Sequence, residues 1–257
     1  MARGIRDERD RAWVKRAIER LETDRAAEPP TPLREFPLAG PPGTALYLKD
    51  ESRRPTGSLK HGPARDLLLG ALRAGQIGPD TLLFEATSGN MAVAQAYFAR
   101  MLGLSYTAVV PGRTGAAKRR RIEEQGGRCH PFDPPLAVYG KARALAEESG
   151  GYCLDHLERV GDAVDWRGPQ SLGAQILADL EKAGESAPVW VVVGVGSGAT
   201  SAAVGRHLRM RGWDPGGRGR SRALRVLSRL GRGFSRVHHG DAVADRGDRA
   251  AADGACL

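Results

Sequence analysis

YLKDESRRPTGSLKHGPAR, residues 47–65, is the most informative stretch of the chain, because it places Lys60 at the start of a predicted helix. An apolar strand ends at Leu48, a polar turn with Gly57 follows, and the residues from Ala64 onward favour a helix. The N–H groups and positive dipole end of a helix start favour a neutral lysine amine, which a Schiff-base lysine needs. A lysine after a turn is more often a solvated surface residue, so this stretch alone predicts little.

A second loop, Thr87-Ser88-Gly89-Asn90, lies between a predicted strand at 82–85 and a predicted helix at 91–102. Its backbone N–H groups and hydroxyls would converge at the helix N-terminus, where an anion is favoured. An ordinary helix cap would have the same sequence, so both interpretations stay open for this loop alone.

A third loop, GVGSGAT at 194–200, lies between a predicted strand at 189–193 and a predicted helix at 201–210. Small residues let backbone donors approach a phosphate, and the helix dipole favours its charge. A dinucleotide-binding fold uses a similar loop. Against that alternative, this loop lies late in the chain and no acidic residue stands at ribose-binding distance beyond it.

Apolar runs alternate with helical patterns along most of the chain, which predicts a parallel sheet covered on both faces. Residues 27–43 are rich in proline and are predicted to be an extended lead-in without a regular element. The remaining predicted strands lie at 46–48, 106–110 and 128–132, and the remaining helices at 7–26, 64–74, 115–125, 136–148 and 170–183.

In this order and at these separations, the three motifs resemble the cysteine synthase family of pyridoxal-phosphate enzymes, over roughly residues 11–210. The segments YLKDES, PTGSLKH, AYFARMLGL, GGRCH and DWRG most resemble the actinobacterial L-cysteine desulfhydrase branch. The resemblance implies a two-lobed α/β protein of fold type II with the cofactor between its lobes. Residues 46–150 would form the small lobe and 1–45 plus 151–210 the large, cofactor-binding lobe, leaving 211–257 as an atypical stretch.

The resemblance also implies roles for individual residues. Lys60 would bond the cofactor aldehyde, yield it to the substrate amine and move the α-proton, whereas Lys49 is expected to be structural. Asn90 would face the cofactor's ring hydroxyl. The phosphate cup would consist of Gly194, Gly196, Ser197, Gly198, Ala199 and Thr200. The substrate carboxylate would be held by Thr87, Ser88, Gly89, Asn90 and Met91, and by His156, for which a surface or capping role is the alternative.

The activity implied by the resemblance is the β-elimination of L-cysteine to sulfide, pyruvate and ammonia. The alternative within the family is cysteine synthesis from O-acetylserine and sulfide. A different class of alternative is a truncated homologue that binds cofactor without catalysis. A small amino acid is the expected ligand and a homodimer the expected assembly.

The formal charge of +9 would suggest a nucleic-acid partner, but residues 211–257 contain ten arginines and five aspartates, so about half of the excess lies there. Nucleic-acid binding is therefore disfavoured. Cys129, Cys153 and Cys256 form no C-x-x-C pair, which favours a reducing cytoplasm and no metal site. No apolar run reaches membrane-spanning length.

The stretch after Met210 departs from the family's sequence. Its apolar pattern at 223–230 suggests a short helix, and no residue there matches the hydroxyl side chain that the family places at the cofactor's pyridine nitrogen. We wrote residues 240–246 with GC-rich codons and shifted the reading frame by one nucleotide. The translated string resembles the late segment of actinobacterial relatives in the family. We favour a shifted reading frame over a basic interaction tail as the interpretation.

Overall fold

A computed structural model describes residues 7–37, 45–185, 187–188, 190–194 and 196–213, together with the backbone of 225–230 and 233–237. Part of the predicted strand at 189–193, one residue of the loop at 194–200 and Cys256 lie outside these residues. Within the described part, no helix is long and apolar enough to cross a membrane.

A four-stranded parallel sheet forms the first half of the structure, in the strand order β5-β4-β3-β6. Its strands are β3 (Leu83–Ala86), β4 (Tyr106–Pro111), β5 (Arg128–Phe132) and β6 (Tyr152–Cys153). The helices that connect or flank them are α2 (His61–Arg73), α3 (Asn90–Leu102), α4 (Ala116–Glu123) and α5 (Val138–Ser149). The central strand β3 is buried along its whole length.

Alternate residues of the central strands enter two different hydrophobic clusters. Leu83 and Ala108 join the cluster of α2, α3 and α4, whereas Ala86 and Val109 pack with α5. Side chains in a strand alternate between the two faces of a sheet. The predicted parallel sheet with helices on both faces is therefore confirmed.

The N-terminal segment contains α1 (Glu8–Ala27) and a strand that the sequence analysis missed. The prediction of a lead-in without a regular element at 27–43 is wrong at β1 (Leu33–Phe36), which pairs antiparallel with β2 (Leu46–Lys49). Prolines stand at 32 and 37 and none lies between them. The four residues of β1 therefore keep the backbone N–H groups that a strand ladder requires.

The second half contains α6 (His156–Ala163), α7 (Leu172–Lys182), β7 (Val192–Gly194), α8 (Ala199–Met210), β8 (Arg225–Leu230) and β9 (Gly233–Val237). A smaller core between α7 and α8 includes Ile176, Leu180, Val204, Leu208 and Trp213. The short helix predicted within 223–230 is wrong, because β8 pairs parallel with β7 and antiparallel with β9. Pairing with a distant strand edge overrides the local helical pattern there.

The strand pairing bears on where the predicted lobes meet. Strand β6 adds residues 152–153 to the first sheet, and β2 pairs with the N-terminal β1. Helix α6 contacts both α2 and α8 and so connects the two halves. The division at residues 46 and 150 stays a prediction.

Gly173 is a sensitive point of the second half, because a Cβ there would lie 2.7 Å from Cβ of His207 on α8. We expect Gly173→Ala to lower the free energy of unfolding by about 1–3 kcal/mol through overpacking. The matched control is Gly140→Ala in α5, where a Cβ would meet nothing within 4 Å and better helix propensity would add about 0.5–1 kcal/mol. Denaturant unfolding of both variants checks this, and equal effects would contradict the packing argument.

Candidate active site

Lys60 lies at the junction between a tight turn and α2. The turn uses Gly57 at φ +70°, and the backbone N–H of Lys60 donates to Oγ of Ser58 at 3.3 Å. Pro63 falls within the first turn of α2, where the backbone N–H that proline lacks would have had no helical partner. The unusual Gly62-Pro63 pair therefore fits the start of this helix.

The surroundings of the Lys60 side chain favour its neutral form. Burial lowers the pKa of its amine below the ordinary value of 10.5, since desolvation penalises the charged state. Among the described residues, no carboxylate pairs with Nζ of Lys60 to oppose this effect. A neutral amine is the species that bonds an aldehyde and accepts a proton.

Lys49, the other lysine of this stretch, is held by contacts to Asp179 and Thr31. Its Nζ lies 2.6 Å from Oδ2 of Asp179 and donates to the backbone oxygen of Thr31 at 2.5 Å. These contacts join β2 to α7. The prediction that Lys49 is structural is confirmed.

The loop between β7 and α8 has the features of a phosphate cup. Gly198 caps α8 at φ +81° without a side-chain hydrogen bond of its own, and the N–H of Ala199 makes a long 3.5 Å contact to Oγ of Ser197. A Cβ at Gly194, Gly196 or Gly198 would meet nothing within 4 Å, so space for a ligand adjoins the loop. Oγ1 of Thr200 is buried without a hydrogen-bond partner among the described residues. An orphaned hydroxyl and free N–H groups at a helix start suit an anionic ligand.

The start of α2 and the start of α8 lie against the same cavity of about 90 Å³. Leu59, Gly62 and Pro63 line it, and so do Thr200 and Ala203. The structure therefore brings the residues on either side of Lys60 close to Thr200 of the predicted phosphate cup.

The loop with Thr87, Ser88 and Gly89 follows β3 directly and leads into α3. Thr87 and Ser88 are half-buried and Gly89 and Asn90 are exposed, and no side chain caps the first turn of α3. Its N–H groups remain available to an anion. The side chain of Met91 is only 5% exposed and packs in the core, so its backbone is the part that can face a substrate.

His156 is the first residue of α6, an element the sequence analysis did not predict. Its backbone N–H donates to Oε2 of Glu85 at 3.0 Å, and its Nδ1 lies 3.2 Å from Oε1 of the same carboxylate without a hydrogen-bond geometry. Glu85 was not singled out from the sequence. The signal for it was a charged residue within an otherwise apolar strand, two residues before the loop at 87–90.

His61, the neighbour of Lys60, is fully buried and packs its ring on Phe98 with 4.7 Å between centroids. Its Nδ1 lies 3.2 Å from Oγ1 of Thr56, and its Nε2 lies 3.6 Å from Oε1 of Glu28. Burial lowers the pKa of His61 to about 4, despite the opposing charge of Glu28. The imidazole is therefore neutral at pH 7 and anchors the start of α2 by packing.

The family model described as pyridoxal-phosphate dependent enzyme matches residues 25–252. The chain belongs to this family. It is 43% identical over 205 residues to the L-cysteine desulfhydrase of Mycobacterium tuberculosis, a match that covers 78% of this chain and 56% of that protein. The O-ureido-L-serine synthase of Streptomyces lavendulae is 30% identical over 183 residues, covering 70% of this chain and 55% of that protein.

Solved structures agree with this assignment. The crystal structure of O-ureido-L-serine synthase gives a TM-score of 0.61 at 26% identity, covering 82% of this chain and 61% of that chain. A hydrogen sulfide-producing enzyme from Fusobacterium nucleatum gives a TM-score of 0.65 at 21% identity, covering 75% and 59%. This second likeness shows the fold. The predicted family, its α/β fold and pyridoxal phosphate as its cofactor are confirmed.

The chain spans about half the length of the curated relatives it matches.

Two predictions lie outside the described residues. One is the partner of the cofactor's pyridine nitrogen, and the other is the segment at 240–246 on which the shifted frame rests. The shifted frame stays a prediction.

The described residues fit the family's cofactor at its aldehyde and at its phosphate. Lys60 would hold the aldehyde carbon through Nζ, and the backbone of Gly196, Ser197, Gly198 and Ala199 with the hydroxyl of Thr200 would hold the phosphate. The orphaned hydroxyl and the open space beside the glycines are the observations that support this fit. The assignment of each individual residue remains a prediction.

We expect Thr200→Val to weaken cofactor binding about 10- to 100-fold, because a hydrogen bond to a charged group contributes about 1.5–3 kcal/mol. Titration of the purified chain with pyridoxal phosphate, followed by its visible absorption, measures this. Thr114→Val is the matched control, since the hydroxyl of Thr114 makes no hydrogen bond in the described part of the chain. Unchanged affinity in Thr200→Val would contradict the cup assignment.

We expect the stability of the protein to fall between pH 6.5 and about pH 4 through His61. In this window the unfolded chain binds a proton at residue 61 that the folded chain does not, so stability is present above pH 6.5 and decreases as the pH falls. The loss is about 3 kcal/mol, from about 1.36 kcal/mol for each pKa unit.

His61→Gln removes this titration and controls for the other ionisable groups. Urea unfolding of the wild type and the variant at pH 7, 5.5 and 4 should show that their stability difference shrinks as the pH falls. A difference that stays constant over this range would contradict the buried, neutral state of His61.

Proposed function

We propose that this chain catalyses the β-elimination of L-cysteine to sulfide, pyruvate and ammonia with pyridoxal phosphate. The observation that carries the proposal is Lys60, a half-buried lysine without an acidic partner among the described residues, whose neighbours Leu59 and Gly62 line the same cavity as Thr200. The likeness to an L-cysteine desulfhydrase at 43% identity supports this choice of reaction within the family.

The chain's own residues divide the work of binding and proton transfer. Bound pyridoxal phosphate supplies an electron sink for the substrate's α-carbon. The loop at 87–90 and the start of α6 with His156 hold the substrate carboxylate and so orient the Cα–H bond toward Lys60. Burial around Lys60 lowers the pKa of its amine and so favours the neutral form, which is the state that accepts the α-proton.

Lys60 is the base in the proposed elimination step. Nζ of Lys60 would hold the cofactor and, as a free amine, would take the proton from the α-carbon of the substrate. The electron pair of that C–H bond forms a Cα–Cβ double bond as the Cβ–S bond breaks and sulfide leaves. Water then converts the remaining fragment to pyruvate and ammonia.

Cysteine synthesis from O-acetylserine and sulfide is the second candidate. It is favoured by the likeness to synthases, such as the 26% identity with the cysteine synthase of Aquifex aeolicus. The two activities are separated by their products, because cysteine alone yields pyruvate in the first and O-acetylserine with sulfide yields cysteine in the second. A truncated, non-catalytic homologue would yield neither product.

We also infer a homodimer that works in the cytoplasm. Two described cysteines, Cys129 and Cys153, are free thiols, which supports a reducing compartment.

Equilibrium sedimentation of the full chain tests the proposed homodimer, and a monomer at all concentrations would contradict it.

We expect Lys60→Ala to abolish both sulfide release from L-cysteine and the visible absorption band of the lysine-bound cofactor. Lys118→Ala, at an exposed position in α4, is the matched control and should keep both. Sulfide, pyruvate and the absorption spectrum are measured on the same preparations. A Lys60→Ala protein that retains the band would refute the assignment of Lys60.

A further inference from the structure

Glu85 is a buried carboxylate to which the proposed reaction gives no role. It is the third of four residues in β3, and it is only 2% exposed. Its neighbours in the strand are apolar, and the loop at 87–90 begins two residues later. Burying a carboxylate costs several kcal/mol unless donors compensate it.

Three donors from three different elements compensate the charge of Glu85. Oε1 accepts from the backbone N–H of Ala86 at 2.8 Å. Oε2 accepts from Nε2 of Gln95 on α3 and from the backbone N–H of His156 on α6, each at 3.0 Å. In the described ranges, no arginine or lysine pairs with Glu85, so these polar contacts alone hold it.

The groups around Glu85 come from every element that packs on it. The His156 ring places Nδ1 3.2 Å from Oε1, and the hydroxyl of Tyr106 on β4 donates to Oε1 of Gln95 at 2.8 Å. Burial, with the charge of Glu85 as a second cause, raises the pKa of Cys153 to about 11. Cys153 therefore stays a neutral thiol at pH 7 beside the carboxylate.

We propose that Glu85 is a positioning residue for the substrate carboxylate, because it ties the start of the loop at 87–90 to α3 and to the start of α6. The inference rests on the proposed function, which assigns that loop and His156 to the substrate. One side chain thereby fixes the distance between the two segments to which the proposed function assigns the carboxylate.

The chemistry of the contacts requires a carboxylate at this position. An amide in place of Glu85 would turn one of the two oxygens into an NH₂ group. If the NH₂ replaced Oε1, it would face the N–H of Ala86, and if it replaced Oε2, it would face the N–H of His156 and the amide of Gln95. Because two donors cannot bond each other, either orientation releases the start of the loop at 87–90 or the start of α6.

Glu85→Gln in the full chain loaded with cofactor tests the proposal. We expect KM for L-cysteine to rise about tenfold or more while the cofactor's visible band is kept. Hydrogen–deuterium exchange read by mass spectrometry should be faster in peptides that cover residues 86–90 or 155–158. Tyr106→Phe is the matched control, since it removes the outer hydrogen bond of the same network, and it should lower the thermal midpoint with KM unchanged.

An unchanged KM with unchanged exchange in Glu85→Gln would overturn the proposal. Loss of the cofactor band with unchanged exchange at residues 86–90 and 155–158 would also overturn it, because the effect would then not arise at the two segments that Glu85 joins. If Glu85→Gln does not fold, Glu85→Asp keeps the charge but shortens its reach, and its KM should exceed that of Tyr106→Phe. The exchange measurement needs no activity, so a wild-type chain that releases no sulfide would reject the proposed function and leave the positioning role separately tested.

Discussion

The position of Lys60 depends on a buried ion cluster in which two arginines share the carboxylate of Glu28. Arg54 precedes Lys60 and forms an ion pair with Glu28 at 2.9 Å, and Arg65 follows in α2 and binds the same carboxylate. Burial raises the pKa of Glu28, but the hydrogen bonds from Arg65 and Arg54 outweigh it and hold the pKa below its usual value. Arg54 also reaches Gln175 of α7 at 3.3 Å. Removing one partner of a buried pair costs about 3–5 kcal/mol, so α1, α2, α7 and the turn before Lys60 are held as one unit.

Around this unit, three strands end where three helices begin. Strand β3 leads into α3, β6 into α6 and β7 into α8, and none of these helices has a side-chain hydrogen bond at its N-cap. The N–H of His156 in α6 donates to Glu85, and the N–H of Ala199 in α8 lies 3.5 Å from Oγ of Ser197, but the dipole at each helix start still favours negative charge. A substrate carboxylate and a cofactor phosphate are the two anions that the proposed reaction brings. The predicted binding loops therefore follow the carboxyl ends of the strands, where parallel α/β proteins generally bind their ligands.

Much of this arrangement could be predicted from the sequence, because glycine-rich turns and continuous apolar runs are local signals. The strand at 128–132 was predicted with the bounds that the structure shows. Non-local contacts explain what was missed. Strand 225–230 forms by pairing with β7, and α6 is a helix of eight residues that begins after Asp155 at φ 50°. Glu85 was visible as a charge in a buried strand, but two of its donors come from 10 and 71 residues further along the chain.

Lys60 is the residue that we propose bonds the cofactor. Borohydride reduction of the full chain loaded with pyridoxal phosphate converts a lysine–cofactor bond to a stable amine, which peptide mapping by mass spectrometry can locate. We expect one modified peptide, the one that contains Lys60. A modification on a different lysine, or none with cofactor in excess, would contradict it.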